Sequence, residues 1–358
     1  MRFLHVVSVS SGKDSQATMK LAINRVGKEN CRFVFADTGN EDAAVFKHLD
    51  YLRGALGIEI DVLRSSFDAE IAGKRAFVSR DQRTGRKYDT IKVPTGKFND
   101  DGFPVYRLKK VGGGKRVRWS NKAKRRALAV LHPSGNPYLD LCMWKGRFPS
   151  RMAQFCTQEL KTLPLVEYQM RLIDAGYGVI SWQGIRRDES AKRKDAKLIE
   201  RIGKRLWIFR PIILWTAQQT IDYCLSEGLR VNPLYAEGFD RVGCMPCINC
   251  GKKEISNIAL RRPGEIKRLA EWEWLVGQAS KRGVSTFFPN PHRDDAADKR
   301  GIYAMVQWAK TTHGGKQFNL LQETNSAACS SSFGLCDQAA SAAKSAESRR
   351  GMRRTPEQ

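Results

Sequence analysis

Two short stretches hold side chains whose types and spacing suit chemistry. The first is Ser10-Ser11-Gly12-Lys13-Asp14-Ser15, set between an apolar run and a helix-like one. A plain turn needs only a glycine or an asparagine. Hydroxyls, a glycine and a cation just ahead of a helix form a seat for an anion, because the helix start offers free N–H groups and positive potential. Gly12 admits close approach, Ser10, Ser11 and Ser15 donate, and Lys13 suits phosphate. Asp14 suits Mg2+ or caps the helix. The stretch is not the Walker loop, which is longer and ends Gly-Lys-Ser/Thr; the plain alternative is a serine-rich helix cap. The second stretch, "CMPCINC", places Cys244, Cys247 and Cys250 with two residues between neighbours. Thiolates so spaced suit zinc or iron–sulfur chemistry, either of which takes a fourth ligand. Cysteines packed as small hydrophobes are the alternative.

The chain has 358 residues, nine of them cysteines, and a formal charge of +25. An odd cysteine count without a secretory leader argues against a disulfide framework. Cys224 falls in an amphipathic pattern and reads as core; Cys142 is a spare ligand candidate. The five histidines show no metal-ligand spacing. No apolar run approaches the length of a membrane span. The start runs into Lys13 and Asp14 without a small-residue cleavage site, so a cytoplasmic protein without signal peptide or membrane contact is expected. The charge favours a polyanionic partner. It concentrates in residues 74–126, where 18 Lys and Arg face 4 Asp and Glu. Tyr88, Tyr106 and Trp119 there are stacking partners for bases, or anchors of a solvated loop.

The elements that position these residues follow from periodicity. Strands are expected over 3–10, 32–37 and 57–65, with helices over 14–26 and 42–56 between them, the alternation of a doubly wound, mostly parallel α/β sheet. Residues 74–132 interrupt it as a basic insertion of hairpins or loops. A helix over 157–176, a strand over 177–185, a charged helix or loop over 189–202, a strand over 206–215 and a helix over 216–229 follow. Residues 252–282 read as one long helical pattern. The expected organisation is 1–73 for the first part of the nucleotide-binding domain, 74–132 for the insertion, 133–255 for the rest with the Cys cluster, 256–320 for a helical region and 321–358 for a disordered tail. There is no internal repeat.

Taken together, the motifs resemble a family. "SSGKDS" is similar to the Ser-Gly-Gly-x-Asp-Ser pyrophosphatase (PP) loop of the adenine-nucleotide α-hydrolases, and "VFADTGNED" to the second nucleotide segment of their phosphoadenosine-phosphosulfate (PAPS) reductase branch. "RFPSRMAQFCTQELKTLPL", "GIRRDESAKR", "RPIILWT" and "NPLYAEGFDRVGCMPC" follow in the family's order. The resemblance spans residues 3–65 and 140–255. The chain departs from it at Ser11, where glycine is usual, in the basic insertion, and at Cys156-Thr157, where relatives often have Cys-Cys; Cys250 is an extra that compensates. The resemblance implies that Ser10, Ser11, Gly12, Lys13, Asp14 and Ser15 hold the phosphates or sulfate. Asp37, Thr38 and Gly39 lie near the adenosine, with Asp37 alternatively an N-cap. Lys13 and Asp14 with Arg186, Arg187 and Arg193 form the catalytic set, guanidinium forks suiting sulfate. Lys161, Arg147 and Arg151 are further candidates. Cys156 joins Cys244, Cys247 and Cys250 around a [4Fe–4S] cluster, with zinc as the alternative.

Three functions follow from the resemblance. One is an oxidoreductase that reduces adenylyl sulfate or PAPS to sulfite with a thioredoxin-like donor. A second is an ATP pyrophosphatase and sulfurtransferase, Mg2+-dependent, acting in nucleic-acid modification of the DNA phosphorothioation or tRNA thiolation type. The charge and insertion suit it, and so does the tail, where Cys329 and Cys336 lie in no match to the reductases' terminal cysteine motif. The third is a non-enzymatic nucleotide-dependent binding module.

Overall fold

Val6, Val7 and Val9 are fully buried because β1 (Phe3–Val9) runs through the middle of the sheet, covered on both faces. Such a strand reads as a continuous apolar run. The computed structural model describes residues 2–190, 193–290 and 300–310. The six-stranded sheet has the order β3-β2-β1-β6-β8-β7, built from β1, β2 (Cys31–Asp37), β3 (Ile60–Arg64), β6 (Gly178–Trp182), β8 (Leu206–Phe209) and β7 (Ile199–Arg201). All neighbours are parallel except β7 with β8. Val7 lies opposite Phe33 on one side and Trp182 on the other.

Alternate residues of β1 feed two cores. Val6 joins Val34, Val179 and Leu165 of α7 (Leu163–Asp174), whereas Val7 and Val9 join Met19 of α1 (Lys13–Val26) and Leu49 of α2 (Ala43–Leu56). The chain winds from β1 out to β3, then returns to add β6 on the far side of β1. That reversal opens a crevice at the carboxyl ends of β1 and β6, the place where open α/β sheets bind ligands.

Several boundaries differ from expectation. The strand expected over 206–215 ends at Phe209, and the run turns at Pro211. A short edge strand, β7, occupies part of the charged segment expected as helix or loop. The pattern over 252–282 divides into α9 (Lys252–Arg261) and α10 (Pro263–Ala279), because proline cannot continue a helix but starts one well. The helix expected over 157–176 begins as α6 (Phe155–Thr157), passes through a π turn over Gln158–Thr162 and continues as α7. α8 (Ala217–Ser226) starts with a Thr216–Gln219 capping box.

Between α3 (Asp68–Arg80) and α4 (Asn121–Val130) the insertion forms a two-stranded antiparallel ribbon, β4 (Arg86–Phe98) with β5 (Pro104–Arg116). α5 (Pro137–Lys145) then returns to the core, and α11 (Gly301–Lys310) packs on α9 and α10. Among the described residues no helix is long and apolar enough to cross a membrane. The tail expected to be disordered, with Cys329 and Cys336, lies outside the described residues.

Candidate nucleotide and thiol site

The loop from β1 to α1 is tightly wound. Ser10 donates its N–H and hydroxyl to Ser15 Oγ, both at 3.1 Å, and Ser15 Oγ donates to the Gly12 carbonyl at 2.9 Å. The left-handed residue is Ser11 (φ +64°), whereas Gly12 is extended at φ −88°. The positive φ thus falls at the position where the family's loop usually has glycine. Ser11 is held there by Asn232, whose Nδ2 donates to Ser11 Oγ at 2.9 Å. Tyr235 accepts the Lys13 N–H at 3.1 Å, so that donor, expected to be open to ligand, already has a protein partner. The "NPLY" segment therefore buttresses the loop. Lys13 Nζ, fully buried, lies 3.6 Å from Asp14 Oδ2 and 5.4 Å from the centroid of the Tyr235 ring.

β6 supplies the opposite wall. Gly184 is needed for contact: a Cβ there would stand 2.7 Å from the Asp14 carbonyl oxygen. Arg186, with no exposed surface, donates Nε to Asp14 Oδ1 at 2.8 Å and also pairs with Asp188. Lys13, Asp14 and Arg186 thus form one buried charged chain across the crevice. Arg193 is buried and paired with Glu189. Arg187 is different: it is exposed and donates to the Ala196 carbonyl, whereas Arg186 and Arg193 are buried.

After β2, Asp37 Oδ1 accepts the Gly39 N–H at 2.8 Å. The N-cap of α2 is Asp42, not Asp37. Gly39 needs its positive φ of +75°, and a Cβ there would strike Asn136 and Pro137 at 2.9 Å. Thr38 binds Glu41 through its N–H and its hydroxyl, at 3.1 and 2.7 Å. Burial pushes the Glu41 carboxyl above its usual range, with Lys161 opposing. Ser10, Glu41, Lys161 and Gly243 line a small cleft between the ends of β1 and β2. Lys161 sits on the π turn, a geometry common at functional sites.

This second loop is fastened to the cysteine segment. Glu41 bridges Cys244, Met245 donates its N–H to the Asn40 carbonyl at 2.7 Å, and Asn40 Nδ2 donates to the Pro246 carbonyl. Arg268 of α10 donates to Asn40 Oδ1 and to the Met245 carbonyl, at 3.0 and 2.8 Å. The Cys244 thiol lies 3.6 Å from both Thr38 Oγ1 and Glu41 Oε1.

Burial raises the hydroxyl of Tyr138 in α5 well above the usual range, and Cys156, Cys142, Cys244 and Cys247 add to that shift. Cys250 accepts the Cys247 N–H at 3.2 Å and lies by Cys247, Glu254 and Arg241. Among the described residues no three Cys, His, Asp or Glu side chains converge on a single-ion position. Cys224 is core, as expected, its thiol 3.7 Å from the Lys13 carbonyl. Arg147 stacks on Phe155, and Arg151 reaches the Cys250 carbonyl at 3.5 Å.

Glu41, Asn232, Tyr235 and Gly184 were not singled out from sequence, although each lies inside a quoted motif. Asn136, Tyr138 and Arg268 carried no sequence signal, since their roles depend on tertiary contact.

Fold and crevice define an α/β protein with a buried cationic loop at the switch point of its sheet. The model of the phosphoadenosine phosphosulfate reductase domain matches residues 4–93 and 138–250, more than half of the chain, and the chain belongs to that family. The match omits residues 94–137, which hold β5 and α4. An uncharacterized 37.8 kDa protein in the gpa 5' region of Escherichia phage 186 is 40% identical over 93% of this chain and 97% of its own length. Adenosine 5'-phosphosulfate reductase of Deinococcus radiodurans is 35% identical over 24% of this chain and 29% of its own. Uncharacterized protein MJ0066 of Methanocaldococcus jannaschii is 33% identical over 37% of this chain and 27% of its own.

Proposed function

We propose that this chain is a sulfur-metabolism enzyme that binds an adenylyl nucleotide at the carboxyl ends of β1 and β6. The observation that carries the reading is the buried Lys13–Asp14–Arg186 chain at the sheet's switch point, beside a second loop fastened to Cys244. Ser10–Ser15 would take the phosphate or sulfate, with Lys13 supplying charge, and Asp37–Gly39 would face the adenosine. Arg186 orients Asp14 through the 2.8 Å bond from its Nε in the buried loop.

In the first reading the substrate is adenylyl sulfate or PAPS. A thiolate attacks the sulfur, the adenosine phosphate leaves, and a thioredoxin-like dithiol displaces sulfite from the S-sulfo group, ending as a disulfide. Lys13 would stabilise the negative charge that develops on the leaving phosphate. A [4Fe–4S] cluster belongs to this reading on donor chemistry: soft thiols are its usual ligands, and Cys156, Cys244, Cys247 and Cys250 would supply them, with Cys142 as the spare. When bound, the cluster would tie the cysteine segment together beside the second loop, to which Cys244 and Met245 are bonded. Thiols outside disulfides suit a reducing, cytoplasmic setting.

A second reading, ATP pyrophosphatase and sulfurtransferase chemistry on nucleic acid with Asp14 serving Mg2+, is favoured by the basic ribbon, which lies mostly outside the family match.

Anaerobically purified protein should release sulfite from adenylyl sulfate and a dithiol in the first case, or pyrophosphate from ATP in the second. Lys13→Ala should lower kcat/KM by about 100-fold or more in either. Adenine-nucleotide affinity unchanged by Lys13→Ala overturns the site. Iron content and a visible charge-transfer band distinguish a cluster from zinc.

A further inference from the structure

The ribbon and the cavity at its root face the same way chemically. β4 and β5 run 13 residues each and pair only with each other. Residues 86–116 hold nine Lys and Arg against three Asp. Cross-strand partners share a face. Lys92 opposite Leu108 and Lys110 opposite Thr90 lie on one face; Lys109 opposite Ile91 and Arg107 opposite Val93 lie on the other. Both faces therefore carry cations, with exposed apolar and aromatic groups between them, Leu108 at 67% and Tyr106 at 53% exposure. A two-stranded ribbon alone in water is marginally stable. Its edges are unpaired, so a ribbon of this length is built to be covered.

At the root, Lys281 donates to the carbonyls of Arg116 and Val117 at 2.6 and 2.7 Å. Lys281 also lines a cavity of about 910 Å3 together with Lys74, Lys145, Arg147, Arg282 and Arg300. No carboxylate is among its described lining residues, although Lys145 pairs with Glu159 from outside. Trp119 and Trp144 are in its wall, Trp144 stacked on Phe67 with Lys145 Nζ 3.6 Å over its ring. Lys74 Nζ donates to the Met143 carbonyl at 2.6 Å, and burial draws it down to about 8.

We propose that the ribbon and this cavity form one nucleic-acid-binding surface, the ribbon following the sugar–phosphate backbone and the cavity receiving an unpaired nucleotide. Three features select this partner. A ribbon with cations on both faces meets phosphates on both walls of a groove, and B-DNA's major groove admits a two-stranded ribbon. A bilayer or a flat acidic protein would engage one face only. Tryptophans among cations suit stacked bases, which every nucleic acid offers. The surface gives the sulfurtransferase reading its acceptor class but stands on the ribbon and cavity alone.

The test measures anisotropy of a labelled DNA duplex and of one of its single strands against the full chain across a salt series. The parent should bind with log K falling steeply in log[salt]. Lys92→Gln/Arg107→Gln/Lys109→Gln/Lys110→Gln, at exposed positions that leave the core intact, should lose about tenfold in affinity or more, with the slope shallower by about 0.9 for each phosphate no longer neutralised. Arg282→Gln/Trp144→Leu should weaken the single strand by about tenfold and the duplex less. Adenine-nucleotide binding should be unchanged in both variants, and Lys13→Ala should still bind DNA; this separates failure here from failure at the β1–α1 loop. A parent that binds neither probe overturns the proposal, as does a ribbon variant with parental affinity and slope. Ribbon-dependent binding to phosphatidylserine vesicles without DNA binding also overturns it. A cavity variant indistinguishable from the parent on the single strand overturns the cavity's part.

Discussion

Ser11 shows how much one position in the phosphate loop is asked to do. It adopts the left-handed conformation at φ +64°, which costs a residue with a Cβ about 1 kcal/mol that glycine avoids. Its hydroxyl compensates by accepting from the buried Asn232 and donating to the Val45 carbonyl at 3.3 Å. Ser11→Ala keeps the strain and deprives Asn232 of that acceptor, so it should destabilise by about 1–2 kcal/mol. Ser11→Gly loses the bond but relieves the backbone, and should recover about 1 kcal/mol of that loss. Thermal melts should therefore rank Ser11→Ala below Ser11→Gly; the reverse order would refute the account of strain. The departure from the family's glycine was visible in the sequence. Its compensation was not, because Asn232 is 221 residues away in the chain.

Among the elements, α1 and α2 are joined by a bond that makes stability depend on pH. His48 Nε2 meets Gln16 Oε1 at 2.9 Å, and burial followed by the nearby Arg230 draws the imidazole down to about 4. A depressed folded value means that the unfolded chain takes the proton first. His48 thus contributes full stability above about pH 6.5 and loses it progressively as pH falls toward 4, by at most about 3 kcal/mol. Melting temperatures recorded across that window should fall on acidification, and His48→Gln should flatten the fall. Element type was legible where periodicity was long: β1, α1, β2, α2 and β3 all stand where alternation placed them. β7 was not, since three residues in a charged run give no period and are strand only because β8 offers an edge. The division between α9 and α10 was legible at Pro263, but the apolar pattern on either side masked it.

At the scale of the molecule, the doubly wound sheet, the basic insertion and the cysteine segment could be read from order and composition, because each depends on local residues. The burial of Cys142 was not legible, because it depends on how α5 packs into the core and spacing carries no information about that. The same holds for Arg187, whose motif position matches Arg186 and Arg193 but whose side chain folds back onto its own loop.

The fastening of Asn40 and Glu41 to Cys244 and Met245 makes a chemical footprint of one ligand readable at the other's address. A nucleotide that immobilises residues 37–41 should protect Cys244 from iodoacetamide, seen by mass spectrometry as slower labelling at that cysteine alone. By thermodynamic reciprocity, a bulky adduct at Cys244 must weaken equilibrium nucleotide affinity by whatever factor nucleotide disfavours the adduct. Equal labelling with and without nucleotide would mean that the two loops, though bonded, move independently.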